Sequence, residues 1–310
     1  AMTGNWVQCL SKGVTLVLVR EAQLSDNLSD TLIQKKITIT EFPPSAFETL
    51  TAKCCVETVL LSGEKVSSNL LKQSKSGSTL VNDYGPTEVT VSALSHIYNS
   101  ESCARTIGKP YSNKKLYILD PTRTPVPVGV AGELYIGGVG LARGYLNNPQ
   151  KTSECFIDNP FATDEERAKG KNLRLYKTGD LVRYLPDGNI EFLGRIDHQI
   201  KLRGYRIECG EIEQCLREQS SIRDALVVAD GEGNDKALIA YVVGYDAPSF
   251  GASDTNQAGD NASTDKRYSV EAILSDEAIE REATLEVKGR IGQFLPDYMV
   301  PTTYVWLRSF

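Results

Sequence analysis

Residues 82–88 read Asn-Asp-Tyr-Gly-Pro-Thr-Glu and gather an aromatic face, a hydroxyl and a carboxylate around one tight bend. That set suits a nucleotide and a hard cation. Tyr84 offers a ring for stacking on a base, Asn82 an amide for its polar edge, Thr87 a donor for a phosphate, and Glu88 oxygens for a metal. Gly85-Pro86 supplies the bend, since glycine permits backbone angles other residues avoid and proline fixes its own φ. The alternative is a plain surface turn between a strand ending near Val81 and the apolar run Val89–Leu94.

More motifs follow in order. Gly132-Glu-Leu-Tyr-Ile-Gly-Gly138 precedes Tyr176-Lys-Thr-Gly-Asp180-Leu. Then come Ile190-Glu-Phe192-Leu-Gly-Arg195-Ile-Asp197 and Lys201-Leu-Arg-Gly204-Tyr-Arg206-Ile-Glu208. An ionised carboxylate only accepts, which suits Asp180 to the two hydroxyls of a ribose, and Arg195 presents a planar fork of donors that fits ribose or phosphate oxygens. Taken singly, each of these residues reads equally as half of a surface ion pair. As a series with this spacing, the motifs resemble those of the adenylate-forming enzymes, specifically the amino-acid adenylation domains of nonribosomal peptide synthetases, over nearly the whole chain.

The resemblance implies roles residue by residue. Tyr84 stacks on adenine with Asn82 at its edge and Gly85 in the nucleotide-binding turn, Thr87 touches phosphate, and Glu88 binds Mg2+. Asp180 and Arg195 hold the ribose, and Phe192 packs near the nucleotide. Thr87, Glu88 and Arg195 thereby form the catalytic set. Asp197 falls at the hinge about which a small C-terminal subdomain rotates, and Gly204 faces the site only in the thioester-forming state. The amino-acid pocket maps to Ala1, Gly4, Glu41, Val59, Leu61, Asp83, Val91 and Ser92. Glu41 beside the small Gly4 favours a basic substrate side chain, paired rather than buried alone, and a solvent-facing Glu41 ahead of Phe42-Pro-Pro44 is the even alternative. The implied reaction is ATP-dependent formation of an aminoacyl-adenylate, then transfer to a carrier-protein phosphopantetheine. Peptidyl-carrier and condensation domains are the implied partners. The resemblance also puts a phosphate-binding loop upstream of Ala1 and a catalytic lysine beyond Phe310, so weak or no activity is expected of this segment alone.

Composition narrows the alternatives. The 310 residues are 41% hydrophobic and 24% charged, ordinary globular usage, with a net charge of −6. An acidic balance argues against nucleic acid as a bulk partner, and the basic alternation Lys201–Arg206 needs no more than a local phosphate or pantetheine contact. No apolar run is long enough to span a bilayer. Seven cysteines, an odd number without a C-x-x-C pair, read as reduced thiols of a cytoplasmic protein. Two histidines leave no room for a histidine-rich metal site and little support for a Ser-His-Asp hydrolase.

Positioning these residues requires a frame. Runs at 15–19, 36–40, 56–61 and 80–81 read as buried strands with helix-compatible intervals, an α/β layer over about 1–113 with a parallel sheet. From about 114 to 196 short strands alternate with Gly, Pro and Asn turns, matching the distorted β-barrel that the family places next. Pro186-Asp-Gly188 is a hairpin turn by its chemistry. Residues 197–310 read as a smaller α+β lid: a helix from Gly210, strands at 225–229 and 237–243, a polar insertion over 245–268 and a mostly helical stretch over 271–294. Gly138-Val-Gly140 resembles a dinucleotide fingerprint, but Gly144 comes one residue late and Asn147-Asn-Pro149 blocks the long helix that fingerprint needs. An acyl- or aryl-CoA synthetase of the same superfamily is the nearest alternative enzyme. From another class, the chain is a non-catalytic interaction segment of a megasynthase.

Overall fold

The computed structural model describes residues 9–19, 21–50, 56–73, 77–99, 101–197, 199–231, 236–245 and 277–307. The chain divides into two compact units, Ala1–Asp197 and His198–Phe310. In the first, helix α1 (Glu21–Gln34) leads into strand β1 (Ile39–Phe42). Lys36 ends that helix in left-handed backbone (φ 53°), with the Ile37 N–H bonded to Leu32 O and the Lys36 N–H to Ile33 O. This helix end is why the strand expected from residue 36 begins at Ile39.

Strand β2 (Thr58–Ser62) pairs in parallel with β1, and β3 (Thr79–Tyr84) in parallel with β2. Strand β4 (Leu94–Ile97) returns antiparallel to β3 and β5 (Thr106–Pro110) antiparallel to β4. The antiparallel strands β6 (Lys114–Leu119), β7 (Gly132–Gly138), β9 (Arg174–Tyr184) and β10 (Ile190–Arg195) continue the path as β5-β10-β9-β7-β6, with β8 (Phe156–Asp158) paired to β9. The parallel layer and the antiparallel region therefore form one continuous sheet, joined where β10 meets β5. Antiparallel pairing of β7 also removes the βαβ context that a dinucleotide fingerprint requires.

Residues 14–19 are a correction. They form no strand, and Leu18 is 84% exposed. An apolar run becomes a buried strand only beside a ladder partner, and the described sheet begins at β1. The Pro186–Gly188 turn is present, linking β9 to β10 with Gly188 at φ 80°.

In the second unit, Lys201–Arg206 is a hairpin rather than one strand. Strands β11 (Ile200–Leu202) and β12 (Tyr205–Ile207) flank a two-residue turn in which Arg203 and Gly204 both have positive φ, the twist-matched geometry for tight hairpins. Helix α2 (Cys209–Arg217) buries Ile212 and Leu216 against a three-stranded sheet of β13 (Ile222–Asp230), β14 (Ala237–Gly244) and β15 (Thr303–Leu307). Helix α3 (Glu277–Ile291) adds Val287 and Ile291 to that core. Residues 246–268, nearly all of the expected insertion, lie outside the described residues. Among the described residues no helix is long and apolar enough to cross a membrane.

Candidate active site

Strand alternation decides what the first motif can do. Asn82 and Tyr84 point to one face of β3 and Asp83 to the other, because successive strand residues face opposite ways. The motif is thus a strand end carrying two faces, not a turn. Gly85 is absent from the residues with positive φ; its role is close approach. A Cβ there would lie 2.0 Å from Val91 O and 2.8 Å from Ala93 N. The bend in the chain comes later, at the single 3₁₀ turn Thr87–Val89 and the residues after it.

On the Tyr84 face, three distant segments converge. The Tyr84 hydroxyl donates to Asp180 Oδ2, joining residues 96 apart in sequence. Burial, then the Asp180 charge, holds the phenol well above its ordinary pKa, so it remains a donor. Arg195 Nη1 reaches Asp180 Oδ1 at 2.8 Å, while Nε and Nη2 grip both oxygens of Asp197 at 2.7 and 2.5 Å. Asp180 is 3% exposed. One guanidinium therefore neutralises two carboxylates, and with Asp197 it forms the strong bidentate kind of ion pair.

Two irregularities of the sheet create this node. Between Glu133/Tyr135 on β7 and Leu181/Lys177 on β9 the register shifts, so Thr178, Gly179 and Asp180 leave the ladder with β7. Their polar groups are met locally: the Gly179 N–H by Glu133 Oε1, the Asp180 N–H by Thr178 Oγ1, and the Thr178 hydroxyl by Leu134 O. A second shift between Phe192 and Gly194 on β10 sets Arg195 opposite Asp180. Asp180 thus lies inside an eleven-residue strand at a bulge. Gly179 (φ 73°) is a site residue that motif reading quoted but gave no role. A Cβ there would meet Arg195 Nη2 at 2.7 Å and Asp197 Oδ2 at 2.8 Å. Glu133 is another, and only the bulge reveals it.

The other residues that the resemblance assigns to the nucleotide lie in or beside the same core. Tyr84 and the half-buried Phe192 belong to one apolar cluster with Leu134, Tyr176 and Val182. Tyr84 is only 7% exposed, which leaves little of its ring for stacking. The Asn82 amide donates to Tyr98 Oη at 3.0 Å and Thr106 O at 3.2 Å, so its side chain has only the carbonyl oxygen left to offer a base. Thr87 is exposed. Glu88 is buried and accepts from the Tyr145 hydroxyl at 2.7 Å; burial and the Glu88 bond raise the phenol's pKa and keep it a donor. Tyr145, on the loop after β7, had no sequence signal. Glu88 brings the hard carboxylate oxygens that Mg2+ prefers. Because that ion keeps several waters and takes phosphate oxygens, one protein carboxylate fits it; among the described residues no cluster of three ligating side chains occurs.

On the Asp83 face lies a second polar group. Glu41, Leu60 and Ser62 share this face with Asp83 through the parallel register Glu41↔Leu60 and Ser62↔Asp83. The Ser62 hydroxyl donates to Glu41 Oε1 at 2.6 Å, Ser92 to Asp83 Oδ2 at 2.6 Å, and Tyr111 to Asp83 Oδ1 at 3.2 Å. Burial raises the Asp83 pKa and the Glu41 charge adds to the rise, against the pull of the two hydroxyls. Val59 and Leu61 are corrected here. Both are fully buried on the opposite face with Leu70 and Leu80, each contributing about 1.5–3 kcal/mol of apolar burial. On the Asp83 face stand their neighbours Leu60 and Ser62, since a one-residue slip on a strand exchanges faces. Ala1 and Gly4 lie outside the described residues. Asp197 closes the first unit, exposed and paired with Arg195; Gly204 sits in the β11–β12 turn of the second.

A sheet built this way, with two carboxylates around one arginine on one side and Asp83 with Glu41 on the other face of the parallel strands, has the adenylate-forming fold. Residues 1–146 match the AMP-binding enzyme family. The chain is 40% identical over 306 residues to a linear gramicidin synthase of Brevibacillus parabrevis, an alignment that covers 97% of this chain and 5% of that protein. It is 44% identical over 240 residues to bacitracin synthase 3 of Bacillus licheniformis, covering 76% and 4%. Among solved structures, holo-PA1221, an NRPS protein containing adenylation and PCP domains, superposes with a TM-score of 0.63 at 29% identity, over 72% of this chain and 40% of that one. IdnL1 shares the fold, with a TM-score of 0.72 at 24% identity over 96% and 56%. The chain belongs to the AMP-binding enzyme family, as an adenylation-domain segment of the nonribosomal peptide synthetase kind. It spans about a twentieth of the length of the curated relatives it matches.

Proposed function

We propose that this segment serves the activation of an amino acid by ATP in nonribosomal peptide synthesis. The amino-acid carboxylate oxygen bonds to the α-phosphorus as the bond to pyrophosphate breaks, giving an aminoacyl-adenylate; a carrier-domain phosphopantetheine thiol then loses its proton and takes the acyl group as AMP leaves. No general base is needed for the first step, since the carboxylate is already ionised. The observation that carries the reading is the meeting of Tyr84, Asp180 and Arg195. Asp180 has an unused lone pair on each oxygen for a ribose diol, and Arg195 fixes its orientation. Mg2+ bound near Glu88 would neutralise phosphate charge. Thr87, exposed at the start of its turn, stands ready to donate to a phosphate oxygen.

The two carboxylates on the Asp83 face favour a substrate with a basic side chain, because a cation would offset the burial and, after it, the Glu41 charge that together raise the Asp83 pKa. Asp197 is proposed as the hinge between units, and Gly204 as part of the surface used in thioester formation. The carrier and condensation domains would lie in the same megasynthase, in the cytoplasm. The described cysteines, all free, fit that setting. Calorimetry with ATP and Mg2+ tests the nucleotide site, and amino-acid-dependent ATP–pyrophosphate exchange in the full-length synthetase tests the chemistry. Absence of nucleotide binding by both segment and synthetase would leave the interaction-segment reading in its place.

A further inference from the structure

Thr90 (φ 64°, ψ 75°) and Val91 (φ 66°) are, among the described residues, the only two consecutive non-glycine residues in left-handed backbone. The Ser92 N–H bonds back to Thr90 O at 2.9 Å, closing a three-residue turn centred on Val91. For a β-branched residue this γ-turn is the rare, strained form, costing on the order of 1–3 kcal/mol, and it persists only where its surroundings impose it.

Four contacts impose it. Lys114 Nζ donates to Val89 O at 2.5 Å, and the Thr90 hydroxyl to Gly140 O at 2.6 Å. The Ala142 N–H holds Glu88 O at 2.8 Å, and Gly85 lies flat beneath Val91 O. Gly140 belongs to the arrangement for its own reason: a Cβ there would meet Lys114 Nζ at 2.7 Å. The Lys114 ammonium is spent on a backbone carbonyl, and burial lowers its pKa. Lysine at the first residue of β6 thus reaches the strained segment from a strand far along the sheet path.

We propose that Lys114 is a positioning residue for amino-acid activation: with the Thr90–Gly140 contact it clamps the Thr90–Val91 turn, which fixes Ser92 with its Asp83 partner, while Glu88 keeps its own hold on the Ala142 N–H and the Tyr145 hydroxyl. This rests on the proposed function only for its kinetic consequence. Release of the clamp would let the turn relax, moving Ser92 from Asp83 while leaving Tyr84, Asp180 and Arg195 in place.

Hydrogen exchange on this chain and kinetics on the full-length synthetase test it together. Lys114→Met should raise exchange across 84–94 by about tenfold or more, with β13 and β14 unchanged. In the synthetase it should raise the KM for the amino acid about tenfold and leave that for ATP unchanged, as expected for one charge-assisted hydrogen bond acting on one side of the site. Lys115→Met, on the opposite face of β6, should change neither. In a Val91→Gly background, where glycine takes positive φ without strain, adding Lys114→Met should accelerate exchange far less. Should Lys114→Met fail to fold, Lys114→Gln read in both backgrounds supplies the same comparison. Unchanged exchange across 84–94, or equal effects with and without Val91→Gly, would overturn the clamp. A synthetase with normal exchange of segment 84–94 but no adenylation would instead remove the proposed function.

Discussion

Asp83 and Tyr84 are adjacent in sequence and opposite in electrostatic company. Tyr84 reaches a carboxylate that an arginine already neutralises, whereas Asp83 is a carboxylate surrounded by hydroxyls and faced by a second acid. A neutralised carboxylate keeps lone pairs for a neutral diol. An acid held only by hydroxyls retains unspent charge, and a cation is the ligand that relieves it. One β-strand thus presents two chemically distinct faces, proposed as nucleotide and amino-acid half-sites, simply by alternating its side chains.

Breaking the nucleotide half should have the largest effects. Gly85→Ala would drive a Cβ to 2.0 Å from Val91 O, and we expect a loss of about 3 kcal/mol of stability in urea melts, with both half-sites damaged. Gly179→Ala should cost about 1–2 kcal/mol and abolish measurable ATP binding by calorimetry, because its Cβ displaces the Arg195–Asp197 fork. Retained binding in a folded Gly179→Ala protein would break the claim that this fork organises the site. Asp180→Asn should weaken ATP about 10–100-fold, the scale of a hydrogen bond to a charged group, and leave amino-acid preference alone.

Sharpening the amino-acid half calls for gentler changes. Glu41→Gln should reduce preference for basic over neutral amino acids in pyrophosphate exchange by about tenfold without altering ATP affinity; an unchanged preference takes Glu41 out of the pocket. The smallest effect is a pH slope. The folded-state pKa of Asp83 lies above its ordinary 3.8, so between the two values the folded protein holds a proton that the unfolded chain has lost. Stability contributed at this site therefore falls as pH rises through that window and stays low above it. Asp83→Asn removes the slope, and the difference between wild-type and variant urea midpoints across the acid range reads it. Parallel curves would mean that hydroxyl bonding, not burial, governs Asp83.

The candidate residues were legible unevenly. Motifs of fixed spacing single out Asp180 and Arg195 together, and the fold brings them within 2.8 Å of each other. Val59 and Leu61 were misplaced because an apolar strand shows its alternation but not which face meets the cleft; only the register with β1 and β3 decides that. The run 14–19 was read as a strand from its residues alone, and a strand exists only where a neighbour completes its ladder. Tyr145 and Lys114 carried no signal and Glu133 stood in a motif without a role, since each acts through a contact made by a loop, a distant strand or a bulge.

By itself, the sequence determined the class of chemistry: which donors, acceptors and carboxylates are present, in what order, and where glycine must stand. It also determined the local elements whose caps and turns are short-range, such as the Pro186–Gly188 hairpin. Tertiary structure alone decided how those groups combine. Two register shifts put Arg195 against Asp180, and close packing at Gly85 and Gly140 bends Thr90–Val91 into backbone their side chains disfavour. Such arrangements depend on the sum of many long-range contacts, so no local stretch of residues encodes them.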